Sequence, residues 1–209
     1  MNAMLKNAEV KEISIQQARP FIEQWHYSGC VPTGKNIFFG WMSEGIDEGE
    51  AYNGTLFNEP MYAVADYGIG VNPYQASFLS RETGHSVVNG NLLELKRLCR
   101  IEPKTDTLPL TAFLSRCHKL LKKRGYSYIV SFSDPMHGHD GGIYRAANFM
   151  HLGVTNPEYH TIDNEGNIRH RRYAFRYARR KGIVLEQARI DLGLKRIKTA
   201  PKDRWFLAL

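Results

Sequence analysis

A mixed α/β fold, with a central sheet covered by helices, is predicted by three features of this sequence. The first is strict alternation in "YSYIVSFS", where Tyr128, Val130 and Phe132 share one face and Ile129, Ser131 and Ser133 the other. The second is an amphipathic stripe of Phe113, Cys117, Leu120 and Leu121 opposite Arg116, Lys119, Lys122 and Lys123. The third is the order of such segments: strand, helix, strands, two strand–helix units and final strands. At 209 residues and 43% hydrophobic content the chain is long enough for one well-cored domain, so a single domain over 1–209 is expected.

Each element follows from its local pattern. "AEVKEISI" alternates as a first strand, and Ala18, Phe21, Ile22 and Trp25 then recur at helical spacing, so the helix runs out at His26 and Tyr27. "NIFFGWMS" and "MYAVADYGIGV" read as a hairpin whose long loop is the acidic "SEGIDEGEAYNGT", while "YGIGVN" is a glycine-containing strand end. "NLLELKRLCRI" is a buried strand with Leu93, Leu95 and Arg97 on one side and Glu94 on the other. Gly125 ends the amphipathic helix. A further helix is expected from Gly142 to His151, burying Ile143, Ala146, Ala147 and Met150, with Gly153 near its C-cap. "YHTIDNEGNIRHRR" reads as a hairpin turning at "DNEGN", and "PKDRWFLAL" as a closing strand.

Composition narrows the function classes. No run approaches the roughly 18 apolar residues of a membrane span, and "MNAMLKNAEVKEIS" lacks the apolar core of a signal peptide, so no membrane partner and a cytoplasmic location are expected. Cys30, Cys99 and Cys117 form no C-x-x-C pair and read as reduced thiols. From Arg169 onward there are 13 Lys and Arg against three acids, which marks a basic C-terminal segment over about 169–209. Its core, "RHRRYAFRYARRKG", interleaves Arg171, Arg172 and Arg176 with Tyr173, Phe175 and Tyr177, joining phosphate-neutralising groups to rings that stack on bases. Nucleic acid is the leading partner; a solvated basic face or an acidic protein partner is the plainer alternative.

The chemistry concentrates in "SFSDPMHGHDGGIYRAANF", at a strand's carboxyl end and the start of a helix, where open α/β sheets gather ligands. Asp134, His137 and His139 offer a carboxylate and two imidazoles to iron, manganese or zinc; equally, Asp134 is suited to cap the turn and the histidines to face solvent. Tyr144 is placed to protonate a leaving group, to bind a metal, or simply to pack in the core. His26 and Tyr27 carry the same alternatives. No G-x-S-x-G elbow, P-loop or G-x-G-x-x-G is present, which gives a Ser/His/Asp hydrolase little support and removes the kinase and dehydrogenase readings.

The runs "LLELKRLCRIEPKTDTLPLTAFLSR" and "YIVSFSDPMHGHDGGIYRAANFMHLG", the terminal "PKDRW" and the upstream "WHYSG" together resemble the phage Mu Mom family of DNA modification proteins. The likeness is closest from about Leu92 to Gly153, and the G-H-x-G-x-I-Y run from Gly138 to Tyr144 is its most specific part. The resemblance implies a fold like the GNAT acyltransferases, with "LELKRL" as the central strand. It implies conversion of adenine in double-stranded DNA to N6-carbamoylmethyladenine, a bacteriophage mark with an anti-restriction role. It also implies dependence on iron. Carried over by position, His26, Tyr27, Asp134 and Tyr144 match metal-binding or catalytic residues, His139 follows as part of the G-H-x-G run, and Arg97 matches a donor-binding residue.

The chain departs from the wider acyltransferase pattern at "EPKTDTLPLTAF", which has no glycine to admit a pyrophosphate and so argues against acetyl-CoA as the donor. The new bond of the implied product joins N6 to a methylene carbon, whereas attack on a thioester would give an amide. The donor therefore stays open. Adenine N6 lies inside the duplex, so the base is expected to flip or the enzyme to act on opened DNA. A homodimer is admitted. The alternatives are an N-acyltransferase acting on tRNA, protein or a small amine, and a non-catalytic DNA-binding accessory protein.

Overall fold

The computed structural model describes residues 8–43, 61–101, 109–169 and 172–209. Strand β1 (Ala8–Ile13) leads through Ser14 into helix α1 (Ile15–Trp25). Ser14 Oγ accepts from Gln17 N–H and the Gln17 side chain accepts from Ser14 N–H, a reciprocal cap worth about 1 kcal/mol. β2 (Asn36–Ser43) and β3 (Met61–Gly68) pair antiparallel, and the acidic segment joining them lies outside the described residues apart from Ser43. Helix α2 (Gln75–Thr83) follows, then β4 (Leu92–Arg100), α3 (Leu110–Lys123) and β5 (Tyr128–Ser133). Residues 102–108 of the loop before α3 also lie outside the described set.

A 3-10 turn (Pro135–His137), helix α4 (Gly142–Ala146) and strand β6 (Met150–Val154) come next. The chain continues through β7 (Tyr159–Ile162), β8 (Ile168–Arg169), α5 (Arg172–Lys181), α6 (Leu185–Asp191), β9 (Lys195–Lys198) and β10 (Asp203–Ala208). It divides into two compact units, one of Met1–Ser133, Gly141–Gly153 and Arg204–Leu209, the other of Asp134–Asp140 and Val154–Asp203.

The seven-stranded sheet has the order β1-β2-β3-β4-β5-β10-β6, antiparallel from β1 to β4 and parallel between β4 and β5. Residue alternation divides its two faces. On one, Trp41, Tyr62, Tyr67, Leu93, Leu95, Ile129 and Trp205 pack against Phe113, Leu114, Cys117 and Leu121 of α3 and against Tyr144 of α4. Trp41 stacks on Phe113 with centroids 5.3 Å apart, a contact worth about 0.5–1.5 kcal/mol beyond its area. On the other, Phe21 and Ile22 of α1 cover Met61, Val64 and Cys99, while Ala76 and Leu79 of α2 cover Val130 and Phe206. This is the expected mixed α/β sheet flanked by helices. In the second unit β7 pairs antiparallel with both β8 and β9, and the β7–β8 turn falls at "DNEGN" as expected. Among the described residues no helix is long and apolar enough to cross a membrane.

Two expectations are corrected. The helix expected over Gly142–His151 stops at Ala146, because Asn148 takes a left-handed φ of 61° and Met150 begins a strand. Ala146 and Met150 are consequently exposed, the buried neighbours are Tyr144 and Phe149, and Gly153 lies within β6. Helices α2, α5 and α6 were not anticipated.

Candidate active site

The parallel pair β4–β5 is in register only from Leu92↔Tyr128 to Leu95↔Ser131, although β4 runs on to Arg100 and β5 to Ser133. At the point where this pairing stops, the β3–β4 register slips from Asp66↔Arg97 to Tyr67↔Leu95 and leaves Lys96 unopposed. This is a β-bulge, a device that re-aims the following side chains. Leu98, not Arg97, therefore joins Leu93 and Leu95 against the α3 face. Glu94 pairs with Gly68 and Arg97 with Asp66, positions two apart on one strand, so Glu94 and Arg97 share a face rather than opposing one another.

Tyr144 reaches this parting from α4. Gly141 opens the helix with φ 78°, and a Cβ there would stand 2.2 Å from the Trp205 ring. That close approach lets Tyr144 stack on Trp205 at 5.6 Å, with Phe149 at its edge. The Trp205 indole N–H donates to Ser133 Oγ at 2.9 Å, which fixes the stack. Tyr144 Oη lies 2.8 Å from Ser131 Oγ, which is itself 2.9 Å from the Leu95 carbonyl. A carbonyl only accepts, so Ser131 donates its single proton to Leu95 and receives that of Tyr144. Burial pushes the phenol up to about 12, against the Ser131 hydrogen bond and with help from the charges of Tyr27 and Glu94.

The end of α1 supplies the opposite wall of the same unit. His26 leaves the helix in an extended conformation, and its Nδ1 accepts the Ser28 backbone N–H at 3.1 Å. The imidazole proton is thereby placed on Nε2. The half-exposed Tyr27 ring lies 4.4 Å from the His26 ring. Arg97 Nε donates to the Cys30 carbonyl at 3.1 Å and its Nη1 to the Lys96 carbonyl at 2.7 Å, so the guanidinium is held beside the turn that follows His26. The structure thus brings His26, Tyr27, Arg97 and Tyr144 together in one unit.

Asp66, fully buried, was missed by the sequence reading. Its Oδ2 accepts from Asn36 Nδ2 at 3.3 Å and its Oδ1 has no hydrogen-bond partner among the described residues. Burial raises its pKa to about 7, tempered by Lys96 and Arg97 and reinforced by Glu94. Asn36 Oδ1 in turn accepts from Lys96 Nζ at 3.2 Å. The usable signal was a lone carboxylate inside the apolar "MYAVADYG". Ser131 was also missed as the partner of Tyr144.

The second unit holds the other expected residues. Asp134 is buried; its Oδ1 accepts from Met136 N–H at 3.1 Å, capping the 3-10 turn, and its Oδ2 pairs with Lys202 Nζ at 3.0 Å. His137 and His139 are exposed beyond it, their backbone N–H groups both directed to the Asp134 carbonyl. Arg176 is exposed on α5 beside Tyr173 and Phe175, while Ala174 and Ala178 face inward. Arg172 begins that helix, and Arg171 lies outside the described residues. Arg196 lies over the Tyr159 ring at 3.7 Å and Arg169 over Tyr173 at 5.4 Å.

Among the described residues no three His, Cys, Asp or Glu side chains cluster as metal ligands. Of the donors that the resemblance assigns to iron, His26, Tyr27 and Tyr144 lie in the first unit and Asp134 in the second. His26 Nδ1 accepts the Ser28 N–H, and both Asp134 oxygens are engaged, Oδ1 by Met136 N–H and Oδ2 by Lys202.

The model of the Mom protein family matches residues 7–209. No curated protein sequence matches the chain. Similar solved structures include a spermidine/spermine N-acetyltransferase from Vibrio cholerae, 7% identical over 99% of this chain and 95% of that one, with a TM-score of 0.49. An N-acetyltransferase from Staphylococcus aureus is 12% identical over 97% and 98%, at 0.48. An N-acyl amino acid synthase from uncultured soil microbes is 11% identical over 96% and 89%, at 0.47.

Proposed function

The chain belongs to the Mom protein family, and from that premise we propose that it converts adenine in double-stranded DNA to N6-carbamoylmethyladenine, protecting bacteriophage DNA from host restriction. The observation that carries this reading is the convergence of His26, Tyr27, Arg97 and Tyr144, far apart in sequence, where β4 and β5 part.

The roles follow from hydrogen-bond direction. A phenol that stays protonated to about 12 starts as an acid, so Tyr144 delivers its proton to the donor's leaving atom as N6 bonds to the methylene carbon, and the resulting phenolate recovers the proton that N6 releases. Ser131 then turns its own proton from Leu95 to the phenolate, limiting the charge left behind. Arg97, fixed by two carbonyls, orients the polar end of the donor, and His26 Nε2–H donates toward the reacting groups. Flipping the adenine costs a few kcal/mol, which the cationic, ring-bearing surface of the second unit offsets through phosphate contacts.

The test is nucleoside analysis. Plasmid propagated with the protein, digested and separated by chromatography with mass detection, should yield a deoxyadenosine heavier by a carbamoylmethyl group. Its absence would end this reading, and an acylated amine or tRNA in its place would favour an acyltransferase.

A further inference from the structure

The loop between β3 and α2 exposes Ile69, Val71 and Tyr74 to 60%, 82% and 76%, a concentration of large apolar surface that no packing requirement of the fold explains. Glycines alternate with the first two. A Cβ at Gly68 would come within 2.3 Å of Asn36 Oδ1 and 2.8 Å of Lys96 Nζ, and one at Gly70 within 2.9 Å of Glu94 Oε2. Gly68 and Gly70 therefore press backbone against the polar face of the bulge, while the side chains of Ile69 and Val71 stand out into solvent directly beside the candidate active site.

The loop is also braced. Asn72 Oδ1 accepts the Tyr74 N–H at 3.0 Å, the Asn72 carbonyl accepts the Gln75 N–H at 3.1 Å, and Pro73 fixes φ between them. A braced apolar projection pays little ordering entropy on insertion into a partner. An enzyme that extrudes a base must fill or hold open the space left behind, and aliphatic side chains inserted between base steps do so elsewhere among DNA-bending proteins.

We propose that Ile69 and Val71 form a wedge that enters the DNA base stack next to the flipped adenine, a role that rests on the DNA-modifying function proposed above. Lys96 and Arg97 at the base of the loop favour an anionic partner over an apolar protein, and the vesicle arm of the test separates DNA from an anionic lipid surface.

The test uses the full chain and short duplexes in which 2-aminopurine, whose fluorescence rises on unstacking, replaces adenines one at a time. Wild type should raise the fluorescence severalfold at a subset of positions. I69S/V71S, at concentrations that saturate the same duplexes, should keep the wild-type circular dichroism yet lose the rise. A full rise with the variant, no rise at any position with DNA-bound wild type, or anionic vesicle binding that disappears with the variant while the rise persists, would each overturn the wedge. Should wild-type plasmid carry no modified deoxyadenosine while the rise still depends on Ile69 and Val71, the modification chemistry fails and the wedge stands.

Discussion

The two halves of β4 have opposite characters. From Leu92 to Leu95 the strand pairs with β5, with Glu94 and Leu95 also paired to β3, and three of its four residues are buried and apolar. From Arg97 to Arg100 its partner is β3 alone, Lys96 stands unopposed at the bulge, and Lys96 and Arg97 are held by side-chain and backbone oxygens rather than by packing. The comparison teaches where a sheet protein can place chemistry. Lost pairing frees backbone and space, a bulge turns consecutive polar side chains toward that space, and the packed half keeps both rigid.

The largest disturbance to that contrast should come from the packed side. Gly141→Ala places a methyl group within the Trp205 ring's contact radius at a positive φ, so it should cost about 3 kcal/mol or more, read as a lowered thermal midpoint. Stability unchanged by the substitution would mean that Tyr144 is not set by the Gly141–Trp205 contact.

Smaller effects of opposite sign are expected from the two buried titrating groups. Asp66 has a folded pKa of about 7 against an ordinary value of 3.8, so the native state loses stability as pH rises between those values and levels off above them. Asp66→Asn should gain on wild type through that window in thermal melts across pH, and a parallel pair of curves would contradict the assignment. His118 lies on the packed side, its Nε2 without a hydrogen-bond partner among the described residues, and burial lowers its pKa from 6.5 to about 4. Native stability is therefore lost as pH falls from 6.5 toward 4, and His118→Leu should gain on wild type in that direction. The same melts would show the two variants diverging from wild type at opposite ends of the scale.

Much of the packed half was legible. The alternation of "YSYIVSFS" and the stripe of α3 state which residues face the core, because large apolar side chains make periodicity visible. α5 was hidden because the positions it buries are alanines, Ala174 and Ala178, while its rings at Tyr173 and Phe175 face out. α4 was overextended because "RAANFM" keeps a helical rhythm that the left-handed Asn148 breaks. The open half was legible only in part. His26, Tyr27 and Tyr144 were candidates with open alternatives until the resemblance chose among them, Arg97 came from resemblance alone, and the bulge at Lys96 that gathers Glu94 and Arg97 on one face leaves no mark in a regular "LLELKRL". Asp66 and Ser131 were visible as polar residues in apolar strands, but their partners lie 30 and 13 positions away and only folding introduces them.

The most direct measurement is the deoxyadenosine profile of plasmid DNA propagated with wild type and with Tyr144→Phe, which keeps the stacked ring and removes one oxygen. Mass-shifted deoxyadenosine should be present with wild type and reduced by two orders of magnitude or more, about 3 kcal/mol of transition-state stabilisation, with the variant at equal protein level. Equal yields from the two proteins would contradict the claim that the phenol at the parting of β4 and β5 performs the chemistry.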